Sequence, residues 1–204
     1  HETDDPVTIN IQVDDGTGRT YNENFSITID NVDEAPTDLD LSALSINENS
    51  TSGTVGTITM VDEDSSIAAG TTTFTVKESG VVSTDFEVDV TGSTASLVVL
   101  GTATLDRETD SPVTINIEVN DGTGQTYNEN FSITLDNVAE SPTDLTLSAA
   151  TIPENSTSGT VGTFTVTDVD SSSFTYIVQE GGVTSTNFAI TGSSGVEALT
   201  VLGT

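Results

Sequence analysis

Acidic residues carry the chemistry that this sequence offers. Residues 105–110 read LDRETD, so three of six side chains are carboxylates around a single cation. Comparable acids recur as Glu48 in NEN, as Asp62 and Asp64 in VDED, and in the joint DNVDEAP at 30–36. Carboxylates that converge cannot all stay ionised without counter-charge. The chain has 33 Asp and Glu but only 3 Lys and Arg, so we expect bound cations to supply that charge.

The donor atoms select the cation. Clustered carboxylates with Asn amides and backbone carbonyls form an all-oxygen set, which Ca²⁺ takes with roughly 6–8 ligands, whereas Mg²⁺ loses its water reluctantly. Soft metals would lack their preferred ligands, because there is no Cys and His1 is the only His. The alternative is that the acids form solvated loops or a surface suited to high salt. Their recurrence as DxD and DxE pairs at both joints favours calcium.

Composition excludes several classes of function. With a formal net charge of −30, the surface should repel nucleic acid and anionic membranes. No apolar run reaches the ~18 residues of a transmembrane helix. Without Cys there are no disulfides, and metal is the obvious substitute. A Ser–His–Asp site cannot be built around His1 alone, and the acid pairs lack a glycosidase's aromatic cleft, so we expect no enzyme.

A repeat of 106 residues organises the chain. The segment at 2–32 returns nearly unchanged at 108–138, and ENSTSGTVGT at 48–57 returns at 154–163. Turn-forming residues in DNVDEAPTD and DNVAESPTD mark the joints. This phase predicts the end of one domain with its linker, then a complete domain, then the start of a third. The three expected pieces are residues 1–33, 34–138 and 139–204.

The complete copy reads as a series of short strands. Residues 113–119 and 127–135 alternate apolar and polar side chains, and the Gly-rich turn NDGTGQ lies between them. Seven such strands in about 100 residues, with no helical periodicity, predict an all-β fold, a Greek-key β-sandwich. The other strand candidates are 39–46, 54–61, 72–78, 85–90 and 95–100.

These motifs together resemble cadherin repeats. They are LDRE at 105–108, NEN and PEN at 47–49 and 153–155, DxD at 62–64 and 168–170, DGTG at 15–18 and 121–124, and the joint ending in Pro. The sequence segments DNVDEAPTDL…ENSTSGTVGT…DED are similar to the cadherin-like tandem repeats of large bacterial surface adhesins. The resemblance covers the whole chain. It implies tandem seven-stranded, cadherin-like or immunoglobulin-like sandwiches arranged end to end as a rod, with several calcium ions per joint.

The resemblance also implies the ligands. At the first joint they are Glu2, Asn31, Asp33, Glu34, Asp62, Asp64 and Asp121. At the second joint they are Glu48, Asp106, Glu108, Asn137, Glu140, Asp168 and Asp170. In LDRETD, Asp106 and Glu108 should face the metal and Arg107 should turn outward. Asp33 is replaced by Ala139 at the second joint, which should therefore lose an ion or hold it weakly. The usual linker Asp is Asn31 or Asn137, which offers an oxygen without charge.

The implied function is structural. Calcium would bridge adjacent repeats and stiffen an extracellular spacer or filament segment of a cell-surface adhesin. The alternative is a calcium-dependent carbohydrate-binding or homophilic adhesion module. A sugar-binding surface usually needs aromatic rings, and here Trp is absent and aromatics are 5 % of residues.

The phase of the repeat leaves two explanations open. Residues 1–30 should hold two strands and 139–204 five, and neither set closes a core alone. Either the chain is a window from a longer array, or the 1–30 hairpin of one molecule completes the 139–204 half of the next, in a head-to-tail filament. In the second case Asp15 would supply the DGTG acid missing from the next chain's second joint. Glu154 would supply the missing NEN-type Glu in the other direction.

Overall fold

The computed structural model describes residues 5–192 and 196–203. The chain divides into two compact units, one ending at Asp136 and the other beginning at Asn137. Strands dominate both units, and the regular helix of the described residues amounts to one turn. None of the helical structure described is long and apolar enough to cross a membrane.

The first unit contains eleven described strands and the helix. They are β1 Val7–Asp14, β2 Thr20–Ile27, β3 Asp38–Leu41, β4 Ser45–Asn47, β5 Thr54–Val61, β6 Thr73–Glu78, β7 Val81–Val82, β8 Phe86–Thr91, β9 Thr94–Val99, α1 Arg107–Asp110, β10 Val113–Asn120 and β11 Thr126–Asp136. The second unit contains six described strands. They are β12 Asp144–Leu147, β13 Gly159–Thr167, β14 Gln179–Glu180, β15 Val183–Thr184, β16 Phe188–Thr191 and β17 Ala198–Val201.

Nine strands of the first unit form a sandwich of two sheets, ordered β4-β11-β10-β6-β7 and β3-β5-β9-β8. The predicted all-β sandwich is confirmed. Seven of its strands have four or more residues, and the additions are the short β4 and β7. The candidate strand 39–46 is split, because the chain crosses Gly56 between β3 and β4. A Cβ on Gly56 would lie 2.8 Å from the backbone nitrogen of Ala43.

The core lies between these two sheets. Alternation along β10 places Ile115, Ile117 and Val119 inside at 0 % exposure, in the same cluster as Leu97 and Phe86 of the facing sheet. Fully burying a side chain of this size contributes about 1.5–3 kcal/mol. Strands β10 and β11 therefore supply much of what holds the sandwich together.

The hairpin β1–β2 repeats the β10–β11 hairpin but forms a two-stranded sheet by itself. Val7 pairs with Ile27 in β1–β2, and Val113 pairs with Ile133 at the same position in β10–β11. The inward side chains of β10 are buried, whereas Ile11, the counterpart of Ile117, is 51 % exposed. The N-terminal piece thus contains two strands, and no core lies beneath them in the part of the chain that the structure describes.

The second unit repeats one sheet of the sandwich. Its order β12-β13-β17-β16 matches β3-β5-β9-β8, and β14–β15 form a separate pair. Val178 corresponds to Val76, because Ser185 N–H donates to the Val178 carbonyl at 2.8 Å as Ser83 N–H does to the Val76 carbonyl at 2.9 Å. The spacing between copies therefore falls from 106 to 102 residues. The loop after Asp168 and Asp170 accounts for this difference, because it is shorter than the loop after Asp62 and Asp64.

Candidate metal centre

The first predicted joint lies at the end of the sandwich where β5 stops. Asp62 begins the turn there, and its Oδ1 accepts hydrogen bonds from the N–H groups of Asp64 at 2.9 Å and Ser65 at 2.8 Å. Its other oxygen, Oδ2, is buried and accepts no hydrogen bond from the described protein. One carboxylate oxygen thus shapes the turn, and the second is left for another partner.

Asp121 occupies the neighbouring turn between β10 and β11 in the same way. Its Oδ1 accepts from Thr123 N–H at 2.7 Å and from the Thr123 hydroxyl at 2.9 Å, with longer bonds from the N–H groups of Gly124 and Gln125. The residue is 5 % exposed, and Oδ2 is buried without a hydrogen-bond partner in the described structure. Asp121 therefore also keeps one inward oxygen unused.

Burial and hydrogen bonding act in opposite directions on Asp121. Burial raises the pKa of its carboxyl group, but the hydrogen bonds from Thr123, Gly124 and Gln125 together outweigh it. The pKa ends below its ordinary value. The group is therefore an anion at neutral pH, although it is almost completely buried.

The linker between β2 and β3 is tied to both turns. Asn31 donates its side-chain amide to Asp64 Oδ1 at 3.0 Å, and Glu34 N–H donates to Asp64 Oδ2 at 3.0 Å. Gln125 donates its side-chain amide to the carbonyl oxygen of Asp33 at 3.3 Å. These contacts bring six of the seven residues predicted for the first joint to one pole. This set, called the upper pole, comprises Asn31, Asp33, Glu34, Asp62, Asp64 and Asp121.

The seventh predicted residue, Glu2, lies outside the described residues. Sequence reasoning did not anticipate two supporting residues, Thr123 and Gln125. Thr123 fixes the Asp121 carboxylate with both its N–H and its hydroxyl, and Gln125 holds the linker. Position within the DGTG turn was the available signal for Thr123, since a hydroxyl two residues after Asp completes such a turn.

The motif LDRETD lies at the opposite end of the sandwich, where it contains the one-turn helix α1 and the N-cap residue before it. Asp106 is the N-cap, and its Oδ1 accepts from Glu108 N–H at 3.0 Å. Glu48 is 2 % exposed, and its Oε2 accepts from Arg107 N–H at 2.8 Å. The sequence analysis expected no helix because it found no helical periodicity, so it missed this single turn. An Asp before an acidic first turn is nevertheless a helix-start signal.

Three predicted ligands meet at this end of the first unit. One carboxylate oxygen of Glu48 and one of Glu108 lie within 4.8 Å of each other, and Asp106 adjoins both through the capped turn. The Arg107 side chain is exposed and reaches back to Glu108 Oε1 at 3.4 Å. Glu48, Asp106 and Glu108 are called the lower acids.

The second unit reproduces the turn that follows β5. Asp168 Oδ1 accepts from Asp170 N–H at 2.9 Å and from Ser171 N–H at 2.6 Å, and Glu140 N–H donates to Asp170 Oδ2 at 2.7 Å. A carboxylate oxygen of Glu140 lies within 4.8 Å of one of Asp170. Glu140, Asp168 and Asp170 are called the second-unit acids.

Four other positions from the predictions lie in different settings. Asn137 is exposed in the joint, and Ala139 adds no side-chain oxygen there. Asp15 is exposed, and its Oδ1 accepts from the Thr17 hydroxyl at 2.6 Å and from Thr17 N–H at 2.8 Å. These bonds, that from the hydroxyl first, lower the pKa of Asp15. Glu154 is exposed in the loop before β13.

The upper pole fits a hard divalent cation. Its donors are carboxylates, an amide and carbonyls, with no nitrogen or sulfur ligand, and this set suits calcium. Two of its carboxylates, Asp62 and Asp121, hold a buried oxygen that no described donor satisfies. A buried anionic oxygen without a partner is costly, and a bound cation would remove that cost.

Comparison with solved structures identifies a cadherin-like fold. The chain resembles the protocadherin gamma B7 extracellular cadherin domains 1–4 with a TM-score of 0.62 and 22 % identity, covering 100 % of this chain and 50 % of that structure. Protocadherin gamma B2 extracellular cadherin domains 3–6 match with a TM-score of 0.61 and 17 % identity, covering 97 % of this chain and 49 % of that structure. Mouse cadherin-23 EC22–24 matches with a TM-score of 0.56 and 16 % identity, covering 94 % of this chain and 62 % of that structure.

The chain thus spans about half to three fifths of the length of these structures. No protein-family model matches the chain. No curated protein matches it either.

Proposed function

We propose that this chain is a calcium-stiffened segment of an extracellular adhesion protein, in which calcium at the joints fixes the linkers between successive repeats. The fold resembles that of extracellular cadherin domains of protocadherins. The acidic surface and the absence of Cys agree with a secreted module that uses metal in place of disulfides. The large bacterial adhesins that the sequence resembles are the class we favour, and the role there would be a spacer.

The observation that carries this proposal is the pair of unsatisfied oxygens at the upper pole. Asp62 Oδ2 and Asp121 Oδ2 are both buried, and each belongs to a carboxylate whose other oxygen is already held by backbone N–H groups. Solvated acidic loops would leave such oxygens in water. Here the turns position them inward, where a cation is the partner that compensates both charge and burial.

The linker is what such an ion would hold. Asn31, Asp33 and Glu34 already contact the two turns through hydrogen bonds. Without a cation these bonds work against repulsion between Asp62, Asp64 and their neighbours. A cation ligated by the same carboxylates would reverse the sign of that interaction, so bending the linker would break metal–oxygen contacts as well as hydrogen bonds.

The repeat predicts the same role for the second joint. There the lower acids would supply ligands from one side, the second-unit acids from the other, and Asn137 from the linker. Ala139 removes the carboxylate that Asp33 offers at the first joint. We therefore expect the second joint to bind calcium more weakly, or to bind one ion fewer, than the first.

Extracellular calcium modules bind with dissociation constants of about 10⁻⁴–10⁻³ M. At tenfold to hundredfold excess, each ion would stabilise the folded state by roughly 1–3 kcal/mol. Occupancy would then follow extracellular calcium and vanish at cytosolic levels.

The test is thermal unfolding with calcium and with excess chelator. Calcium should raise Tm by roughly 5–10 °C over chelator at equal ionic strength. Asp121→Asn should still fold, because Asn keeps the Oδ1 that the turn donors need, but it should lose most of the calcium shift. Isothermal titration should show at least a tenfold weaker site.

Asp89→Asn is the matched control. It removes the same charge from an exposed position on β8, so it reports on general screening by calcium. Its calcium shift should equal that of the parent chain. An equal loss in both variants, or a melting curve that chelator leaves unchanged, would refute site binding.

A further inference from the structure

The linker of the first joint is held to the repeat that follows it by hydrogen bonds between protein groups. Glu34 N–H donates to Asp64 Oδ2 at 3.0 Å, and the side-chain amide of Asn31 donates to Asp64 Oδ1 at 3.0 Å. Both oxygens of the Asp64 carboxylate therefore accept bonds from the linker. Each oxygen has a second lone pair, so these bonds do not prevent Asp64 from also contacting a cation.

The linker of the second joint repeats the backbone half of this arrangement. Glu140 N–H donates to Asp170 Oδ2 at 2.7 Å, and the donor and acceptor are 30 residues apart, as they are in the first joint. This linker has Ala139 at the position of Asp33. The bond therefore does not depend on the carboxylate that distinguishes the two linkers. It belongs to the DxD turn and the linker backbone.

The C-terminal end of each linker is fixed to the same repeat. Thr37 N–H donates to the Val61 carbonyl oxygen at 2.8 Å, and Thr143 N–H donates to the Thr167 carbonyl oxygen at 2.8 Å. Pro36, the residue before Thr37, is buried. Each linker is thus attached at two points, once to the end of β5 or β13 and once to the DxD turn that follows that strand.

The residues just before each linker are attached to the preceding strands instead. Asp136 is the last residue of β11, and its carbonyl oxygen accepts from Glu48 N–H at 3.0 Å. In the first copy, Ile29 N–H donates to Asp5 Oδ1 at 2.9 Å, beside the β1–β2 hairpin. The chain also divides into its two compact units directly after Asp136. In both copies the attachment therefore changes just before the Asn that begins the linker.

We propose that Asp64 and Asp170 are linker clamps, positioning residues that fix each linker on the following repeat whether or not calcium is bound. The joint then bends where the attachment changes, at the peptide before Asn31 and at the peptide before Asn137. Residues 31–37 and 137–143 move with the repeat that they precede.

The two acids of each DxD motif would then have different tasks. In the first joint Asp62 and Asp121 keep the inward oxygens that suit an ion, while Asp64 holds the linker. Calcium would have to immobilise one short hinge and not a whole linker, so less conformational entropy would be lost on binding. Only this benefit to calcium binding rests on the proposed function, because the clamp itself consists of protein groups.

Amide hydrogen exchange of the full chain in excess chelator tests the clamp. The Glu34 and Glu140 amides should exchange roughly tenfold more slowly than unprotected amides of the same local sequence. Asp64→Ala removes both acceptor oxygens, so the Glu34 amide should lose that protection. The Glu140 amide should keep it in the same molecule. Slow exchange along β10 would confirm that the first unit of the variant is folded.

Two further variants separate the clamp from general effects of charge and from calcium binding. Glu63→Ala truncates the exposed acid between the two Asp residues and should leave the Glu34 protection unchanged. Asp62→Asn keeps the Oδ1 acceptor that positions Asp64 but removes the charge at Oδ2. It should retain the Glu34 protection in chelator while it weakens calcium binding roughly tenfold.

Fast exchange of the Glu34 amide in the parent chain in chelator would overturn the clamp, and so would equal protection in Asp64→Ala and Glu63→Ala. Backbone NMR relaxation of the parent chain needs no variant to fold. In chelator the order parameter should fall at Asp136 and Asn137 and recover by Glu140, and uniform disorder through Thr143 would also contradict the clamp.

The clamp and the calcium function can fail separately. Protected linker amides, together with a melting curve that calcium does not shift, would refute the calcium function and leave the clamp standing. A calcium-dependent melting shift with linker amides that are protected only in calcium would refute the clamp and leave the calcium function standing.

Discussion

Two hairpins in this molecule share nearly one sequence and differ in almost everything that packing decides. Val7–Ile27 and Val113–Ile133 have the same strand pairing and the same DGTG turn. In both, an Asn side chain of the first strand bonds an Asn across the ladder, Asn10 to Asn24 at 2.7 Å and Asn116 to Asn130 at 2.9 Å. Local conformation is thus set by local sequence.

Burial differs because only one hairpin has a sheet to cover. β10–β11 lies between β6 and β4 and faces β9 and β5 across the core, whereas β1–β2 has no other strand in its sheet among the described residues. The same apolar alternation therefore yields a core in one place and an exposed face in the other. The comparison teaches that the period-2 pattern encodes a face to be covered, and that the covering partner must come from elsewhere.

The turns show the same division. Asp15 and Asp121 each bind the Thr two residues later, and both carboxyl groups have a lowered pKa. Asp15 is exposed, whereas Asp121 is buried with one unsatisfied oxygen. The motif therefore predisposes a carboxylate for metal, and the surrounding loops decide whether it becomes part of a site.

The largest expected difference comes from truncating the same side chain in each hairpin. Ile117→Ala should destabilise the folded first unit by about 2–4 kcal/mol, because it leaves a cavity in a packed core. Ile11→Ala should cost less than about 0.5 kcal/mol in dilute solution, since Ile11 is half exposed. Urea unfolding in calcium measures both. Similar losses would show that β1–β2 is covered even in the isolated chain.

A smaller difference is expected at the turn glycines. Gly122 has φ +97°, and an added Cβ would lie 3.1 Å from the Cβ and the carbonyl oxygen of Thr71, whereas Gly16 has φ +79° and open space around it. Ala at either position is strained by roughly 1 kcal/mol, and Gly122→Ala adds the clash. We expect Gly122→Ala to lower the unfolding free energy by about 1–2 kcal/mol more than Gly16→Ala. Equal effects would mean that the loops at Thr71 yield freely.

The smallest effect concerns Glu78, a carboxylate that is partly buried where β6 pairs with β10. Burial, with repulsion from Asp85 and Asp110, raises the pKa of Glu78, which lies opposite Ile115 of β10. A raised folded-state pKa means that ionised Glu78 destabilises the fold above that pKa and has no such effect below the unfolded value of 4.5. Glu78→Gln should therefore increase the free energy of unfolding at pH 7 by at most about 0.5 kcal/mol, which would appear as a slightly higher Tm.

The gain from Glu78→Gln should shrink as the pH falls through 4.5, since the parent residue then becomes neutral as well. The Ser83 hydroxyl, which donates to Glu78 Oε1, keeps an acceptor in the variant. A gain of the same size at pH 4 and pH 7 would contradict electrostatic origin. Melting curves at both values suffice, taken in chelator so that calcium occupancy does not change between them.

Much of the fold followed from the chain alone. The alternation at 113–119 and 127–135 predicted β10 and β11, and NDGTGQ predicted the turn between them. The one-turn helix α1 was missed, because four residues show no periodicity and only the Asp106 cap signals it. The division of 39–46 into β3 and β4 was also missed, since it depends on the crossing at Gly56.

The candidate site divides in the same way. Asp62, Asp64 and Asp121 were expected as ligands because they lie in the DxD and DGTG motifs at strand ends, which resemble those of cadherin repeats. Those motifs could not show that one oxygen of Asp62 and one of Asp121 are buried with no donor among the described residues. Burial depends on residues far away in the chain, including Gln125 and the linker it holds.

The sequence by itself determined the strands, the turns, the repeat and the type of ligand atom, because each depends on residues within a few positions of one another. Tertiary structure decided which copy of a repeated hairpin has a core, and which copy of a repeated Asp is buried. The physical reason is that water is removed from a side chain only by a second surface, and no local pattern specifies whether that surface is present.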